Sequence, residues 1–183
     1  MNSVQIRAAL PGDLPGILQI YNEAVLETTA TYDERPQTME QRALWFAHHQ
    51  EGHWPVLVAV SPGGPVLGWS SLFQFHDRAG YRFTAQNSVY VAARHRGCGL
   101  GTRLLGPLVE AARARGLRAI LALIDAENAP SIRLHQRLGF EQVGLLRQVG
   151  FKFGRWLDVA CFERVLPVPA PASPSLASVP ATP

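Results

Sequence analysis

The chain has 183 residues, 47% hydrophobic and 17% charged, the balance of a single soluble globular domain able to bury a core. Its net charge of +3 comes almost wholly from arginines spread along the chain without a run, which argues against a nucleic-acid partner and allows an anionic ligand. Cys98 and Cys161 have neither metal-ligand nor disulfide-framework spacing, and no stretch approaches the roughly 20 apolar residues that span a bilayer, so a cytoplasmic protein with no membrane partner is expected.

In chain order, residues 4 to 9 predict a short strand. Pro11-Gly12-Asp13 closes it, with Asp13 expected as the N-cap of a helix to about Leu26 whose Leu14, Ile17, Leu18, Tyr21 and Val25 recur at helical spacing. The polar loop "ETTATYDERPQ" leads to a second helix near 38 to 50, opened by Thr38 with Gln41 at the capping-box position. Its tail, "HHQEGHW", reads as a frayed, solvated helix end. His49 and His53 share an i, i+4 spacing, but no third ligand accompanies them and no metal is expected. Three strand signals follow, "PVLVAVS", "PVLGWSSLFQF" and "RFTAQNSVYVAA", which suit an antiparallel meander.

The stretch "RHRGCGLGTRL", residues 94 to 104, then runs from a strand into an apolar-periodic helix to about Arg115. It fails the dinucleotide fingerprint, because the position of the third glycine counted from Gly97 holds Thr102, and it fails the Walker A pattern, because the chain's one lysine is Lys152. What remains is a turn from Arg96 through Gly99 and Gly101 at a helix N-terminus, suited to holding a pyrophosphate on amides; the alternative is glycine serving only to supply positive φ. A strand at 118 to 125, a helix "APSIRLHQRLG" and strands near 140 to 150 and 156 to 164 complete the pattern. Helices mixed with hairpin-linked and crossover-linked strands predict an α/β (α+β) domain over residues 1–166 with a mixed sheet. Residues 167–183, "PVPAPASPSLASVPATP", read as a disordered tail without chemistry.

"SVYV", "RGCGLG" opening a helix, a strand ending "ID", Asn128 with Ser131, and "LHQRLGF" together resemble the GNAT superfamily of N-acetyltransferases. Within it, "YNEAVLETTATYDERPQT", "DRAGYRFTAQNSVYV", "DAENAPSIRLHQRLGF" and "GFKFGRWLDV" are similar to the phosphinothricin and methionine sulfoximine acetyltransferases, over about residues 4 to 164. The resemblance implies a splayed mixed sheet flanked by helices, acetyl-CoA as cofactor, a small amino-acid-like acceptor and a homodimer.

Carried over by position, it implies a pyrophosphate site on Arg96, Gly97, Cys98, Gly99, Leu100, Gly101 and Thr102, and a pantetheine site on the backbone of Val89, Tyr90 and Val91. Asn128 and Ser131 fall on the cofactor side. His135 is implied to protonate the departing thiolate or to relay a proton from the amine. Tyr32, Arg78 and Tyr81 are implied to face the acceptor, where the fork of an arginine suits a carboxylate.

One departure bears on catalysis. Where relatives read "VES" or "VEH", this chain reads Ala85-Gln86-Asn87, so an amide stands where a carboxylate is expected to deprotonate the acceptor. His135 or a water chain then takes the proton, or the acceptor has a lower amine pKa, or the protein binds acetyl-CoA with poor turnover. Glu23, Asp125 and Glu127 are further carboxylates for the site. Transfer is expected by direct attack on the thioester, because Cys98 sits in the phosphate turn and no Cys-His pair suggests an acyl-enzyme. Acetylation of peptide N-termini or polyamines, and an acyl-CoA-binding sensor, are the competing readings.

Overall fold

The sequence-predicted alternation of strands and helices is present throughout the computed structural model, which describes residues 4–167. Strand β1 (Gln5–Ala8) leads into helices α1 (Leu14–Glu27) and α2 (Met39–Glu51), followed by strands β2 (Val56–Val60), β3 (Val66–Gln74) and β4 (Thr84–Val91). Helix α3 (Leu100–Ala114) crosses to β5 (Ala119–Asp125); helix α4 (Ala129–Arg137) and strands β6 (Glu141–Lys152) and β7 (Arg155–Val165) complete the order. The sheet runs β1-β2-β3-β4-β5-β7-β6, antiparallel at every pairing except β4 with β5. The crossover through α3 is what makes that one pair parallel, as a hairpin cannot.

Two apolar layers hold the sheet. On one face Leu14, Ile17 and Ile20 of α1 and Phe46 of α2 pack with Val58 and Trp69. On the other, Leu105, Leu108 and Val109 of α3 pack against Leu72, Ala85 and Ile120, with Leu134 of α4 alongside. The β6–β7 hairpin turns at Phe153 and Gly154, both at positive φ (50° and 74°), the pairing that matches strand twist.

The β4–β5 pairing positions the site. It holds for Thr84, Ala85 and Gln86, which face Ala119, Ile120 and Leu121, and stops there. Beyond Gln86 the two strands part, so β4 from Asn87 to Val91 has no sheet neighbour on its β5 side, while β3 still pairs with it to Val91 on the other.

Two local expectations are corrected. Asp13 does not cap α1 with its side chain, because the turn Pro11–Asp13 already puts it in helical geometry. Its carboxylate instead accepts from the N–H of Leu10 at 2.7 Å and pairs with Arg7 at 2.6 Å, which holds its pKa below the ordinary value. The end of α2 is not uniformly solvated: His48 is exposed, but His49 is buried between the rings of Trp45 and Phe73. By contrast, the Thr38–Gln41 capping box forms as expected, with bonds of 3.2 and 2.8 Å. The predicted tail lies, after Pro167, outside the described residues.

Candidate active site

The parting of β4 and β5 opens a cleft of about 1150 Å³. Gln86 stands at its apex, Val89, Tyr90 and Val91 form one wall, the glycine turn and the start of α3 close one end, and α4 with the loop after α1 supplies the rest. Unpaired strand groups beside a helix N-terminus make a site for an extended ligand carrying an anionic group.

Within the turn the residues divide the work. Gly97 and Gly99 have φ of 78° and 83°, which favours glycine, and a Cβ on either meets nothing within 4 Å, so the space in front of this backbone is open. Leu100, Gly101 and Thr102 open α3, and their N–H groups have no carbonyl a turn earlier to bind. This cradle fits the diphosphate expected there. Arg96 is already committed: its amide donates to the carbonyl of Ala93, its Nε to Val91 and its guanidinium to Glu23. Cys98 turns its thiol to the carbonyl of His95 and does not line the cleft. Gly101 has another reason to be glycine, because a Cβ there stands 2.9 Å from Leu134, and its absence lets α3 approach α4.

His135 lies 2% exposed on the α4 side, and both its ring nitrogens are engaged. Nδ1 lies 2.8 Å from the carbonyl of Ser131, which can only accept, so Nδ1 carries the proton. Nε2 therefore accepts from the side-chain N–H of Asn87 at 3.0 Å. Burial drives the His135 pKa below its ordinary value, against the opposing pull of the Ser131 carbonyl, and the imidazole is neutral. The geometry leaves His135 neither a free lone pair nor an uncommitted proton. Asn128 caps α4 by accepting from the N–H of Ser131 at 3.2 Å, and both residues line the cleft.

The loop after α1 is tied down from several sides. Lys152, buried on β6, donates to the carbonyls of Thr28 and Thr31 at 2.8 and 2.7 Å, and the Tyr90 hydroxyl donates to Ala30. The Thr29 hydroxyl donates to Asp125. Tyr32 lies over Gly150, where a Cβ would stand 2.3 Å from its ring. Its hydroxyl is buried without a partner among the described residues, and burial, then Asp125 and Asp158, raise its pKa.

Of the sequence-predicted site residues, the cleft brings together Tyr32, Gln86, Val89, Tyr90, Val91, Arg96, Gly97, Gly99, Leu100, Gly101, Thr102, Asn128, Ser131 and His135. Arg78 and Tyr81 sit on an exposed turn beside Phe75 and His76 and do not line it. Of the candidate carboxylates, Asp125 and Glu127 line the cleft but are engaged there, Asp125 by Thr29 and Glu127 by Arg155 at 2.7 Å, while Glu23, outside the lining, is held by the N–H of Ala93 and by Arg96. Sequence reasoning missed Asn87 and Lys152 as organisers of the site. The signal for Lys152 was its being the one lysine, in an otherwise apolar strand context.

The sequence profile of the acetyltransferase (GNAT) family matches residues 17–140. The chain is 49% identical over 161 residues to an L-methionine sulfoximine/L-methionine sulfone acetyltransferase of Pseudomonas paraeruginosa, covering 88% of this chain and 94% of that one. It is 37% identical over 165 residues to a phosphinothricin N-acetyltransferase of Streptomyces coelicolor, covering 89% and 96%. Among solved structures, a phosphinothricin acetyltransferase from Sinorhizobium meliloti in complex with acetyl-CoA superposes with a TM-score of 0.87 at 40% identity, covering 91% of this chain and 89% of that one.

Proposed function

The chain belongs to the acetyltransferase (GNAT) family, and from that premise we propose that it acetylates the amine of a small amino-acid-like acceptor of the methionine sulfoximine, methionine sulfone or phosphinothricin type. Acetyl-CoA, when bound, supplies the thioester whose acetyl group the acceptor nitrogen takes. The observation that carries the reading is the end of β4–β5 pairing at Gln86 with a glycine-lined helix N-terminus at the far end of the same cleft.

In this reading the amides from Gly97 to Thr102 bind the diphosphate, and β4 from Val89 to Val91 aligns the pantetheine arm by backbone hydrogen bonds. Asn128 and Ser131 close the cofactor side. Tyr32 offers its unpartnered hydroxyl to the acceptor, and the ties from Lys152 and Asp125 keep that loop preorganised. The Asn87–His135 pair acts as a positioning element that fixes α4 against β4. Gln86 orients the acceptor nitrogen at the apex.

A homodimer belongs to the same reading. The outer β6–β7 ribbon exposes Val143, Leu145, Val149, Phe151 and Trp156 at 43% or more, an apolar face of the kind a second copy covers. We assign the reaction to the cytoplasm, an assignment supported by cysteines left as free thiols.

A thiol-release assay over methionine sulfoximine, methionine sulfone, phosphinothricin, an N-terminal peptide and a polyamine tests the function. The amino-acid analogues should give the highest kcat/KM. Preference for the peptide or the polyamine would reassign the acceptor, and calorimetric acetyl-CoA binding without thiol release from any acceptor would make the protein a binder.

A further inference from the structure

Gln86 borders two cavities. It lines the cleft at the point where β4 and β5 part, and it also lines a second cavity of about 520 Å³ between α2 and strands β3 and β4. Gln41, Ser71, Gln74 and Ser88 give this second cavity polar walls, and exposed Leu44 and His48 stand at its solvent side. A space of that size with several hydrogen-bonding partners has room and polar contacts for water.

The acceptor arrives as an ammonium and must lose a proton before its nitrogen attacks. Around the cleft, Gln86 cannot take it, both nitrogens of His135 are bonded, Glu23, Asp125 and Glu127 are engaged by protein donors, Nε2 of His95 accepts from Arg94, and Glu27 is exposed at the end of α1. His49 differs from all of them. Its Nδ1 donates to the carbonyl of Trp45 at 2.8 Å, so Nε2 carries the lone pair. That Nε2 is buried, has no partner among the described residues, and belongs to a residue 2% exposed that lines the second cavity.

We propose that the second cavity is the proton exit of the transfer reaction, in which water passes the ammonium proton beyond Gln86 to Nε2 of His49. The inference rests on the acetyltransfer reading above. One proton leaves the ammonium and forms the His49 imidazolium, which returns it to bulk solvent beside His48. The nitrogen's second proton goes to the departing sulfur as the nitrogen–carbon bond forms and the carbon–sulfur bond breaks.

The electrostatics suit a relay. The charged or titratable groups facing His49 are Arg42 and His48, both on α2, while β3 and β4 present Ser71, Phe73, Gln86 and Ser88. Burial, with a smaller contribution from Arg42 and His48 against the Trp45 hydrogen bond, keeps its pKa below 6.5. It is therefore proton-free at neutral pH and releases a proton readily once it has taken one.

The test compares wild type, His49→Gln, and His49→Gln with Gln86→Glu. His49→Gln should lower kcat at pH 7 by about 10²-fold with KM for acetyl-CoA unchanged, and should remove the acid limb of the pH–rate profile. Gln86→Glu should restore most of kcat in that background by supplying a base at the apex. An unchanged acid limb in folded His49→Gln, or a change confined to acceptor KM that makes the cavity a substrate subsite, would overturn the proposal. Nitrogen-15 NMR of His49 in the free wild-type protein gives a second readout independent of turnover. It should show the Nδ1-protonated tautomer titrating below 6.5; an Nε2-protonated ring would remove His49 as acceptor even if the variant failed to fold. Wild type that acetylates none of the acceptors would instead sink the proposed function, leaving the NMR result to decide the state of His49.

Discussion

Asn87 of β4 donates to Nε2 of His135 in α4 across 3.0 Å, while the other end of the same amide, Oδ1, is buried with no partner among the described residues. The bond spans the side of β4 that faces no strand. Asn87→Leu leaves the imidazole lone pair buried and unmet, which should destabilise the fold by about 1–3 kcal/mol. Removing both partners with His135→Phe should cost less than the sum of the single changes, as expected for two groups that need each other. Urea unfolding of the three variants gives the coupling; strict additivity would mean the two side chains act independently.

Gly99 and Gly101 should fail in different ways. Gly99→Val puts a β-branched residue at φ 83° and a side chain into the open cradle, so CoA binding should weaken by on the order of 2 kcal/mol or more, with a backbone penalty of about 1–2 kcal/mol. Gly101→Val drives a Cβ to within 2.9 Å of Leu134, so stability should suffer first and Leu134→Ala should recover part of it. Calorimetric CoA titrations beside thermal melts separate the cases. Unchanged CoA affinity in folded Gly99→Val would remove the turn from the cofactor site.

Arg78 stands outside the cleft of a single chain, on the turn that also carries Tyr81. If its guanidinium binds the acceptor's carboxylate, Arg78→Ala should raise KM for a free amino-acid analogue by about 10-fold or more, and far less for the methyl ester, which has lost the paired charge. Equal losses for both acceptors would leave Arg78 a structural or assembly role.

Two buried imidazoles set an acid limit. His49 and His135 both ionise, when folded, below the 6.5 of an exposed histidine. In the window beneath 6.5 the unfolded chain therefore binds more protons than the folded one, and stability rises with pH there. Stability fully present above that value should decline as pH falls through the folded pKa values. Melting temperatures taken from about pH 7 to about pH 5 should drop, and His49→Gln or His135→Gln should each flatten part of the slope. A flat wild-type profile would contradict neutral burial of both rings.

What sequence could disclose follows the range of each interaction. The Thr38–Gln41 capping box spans three residues, and the turn after β4 carries its glycines in one short stretch; both were legible because cause and effect lie side by side. Asp13 misled because its partner Arg7 belongs to the preceding strand and a turn intervenes before the helix. The burial of His49 depends on Phe73 from β3, and the commitment of His135 depends on Asn87, 48 residues away. Helical periodicity assigns each histidine a face of its helix; whether that face is wet or holds an orphaned lone pair is decided by the strand that covers it.

Lys152 spends its ammonium on the carbonyls of Thr28 and Thr31 and is 2% exposed, and residues 1–183 contain no other lysine. An enzyme charged with an acetyl donor thus presents no lysine amine on its own surface for that donor to modify. The same feature bears on amine-directed labelling, since an activated ester meets no exposed lysine ε-amine among the described residues.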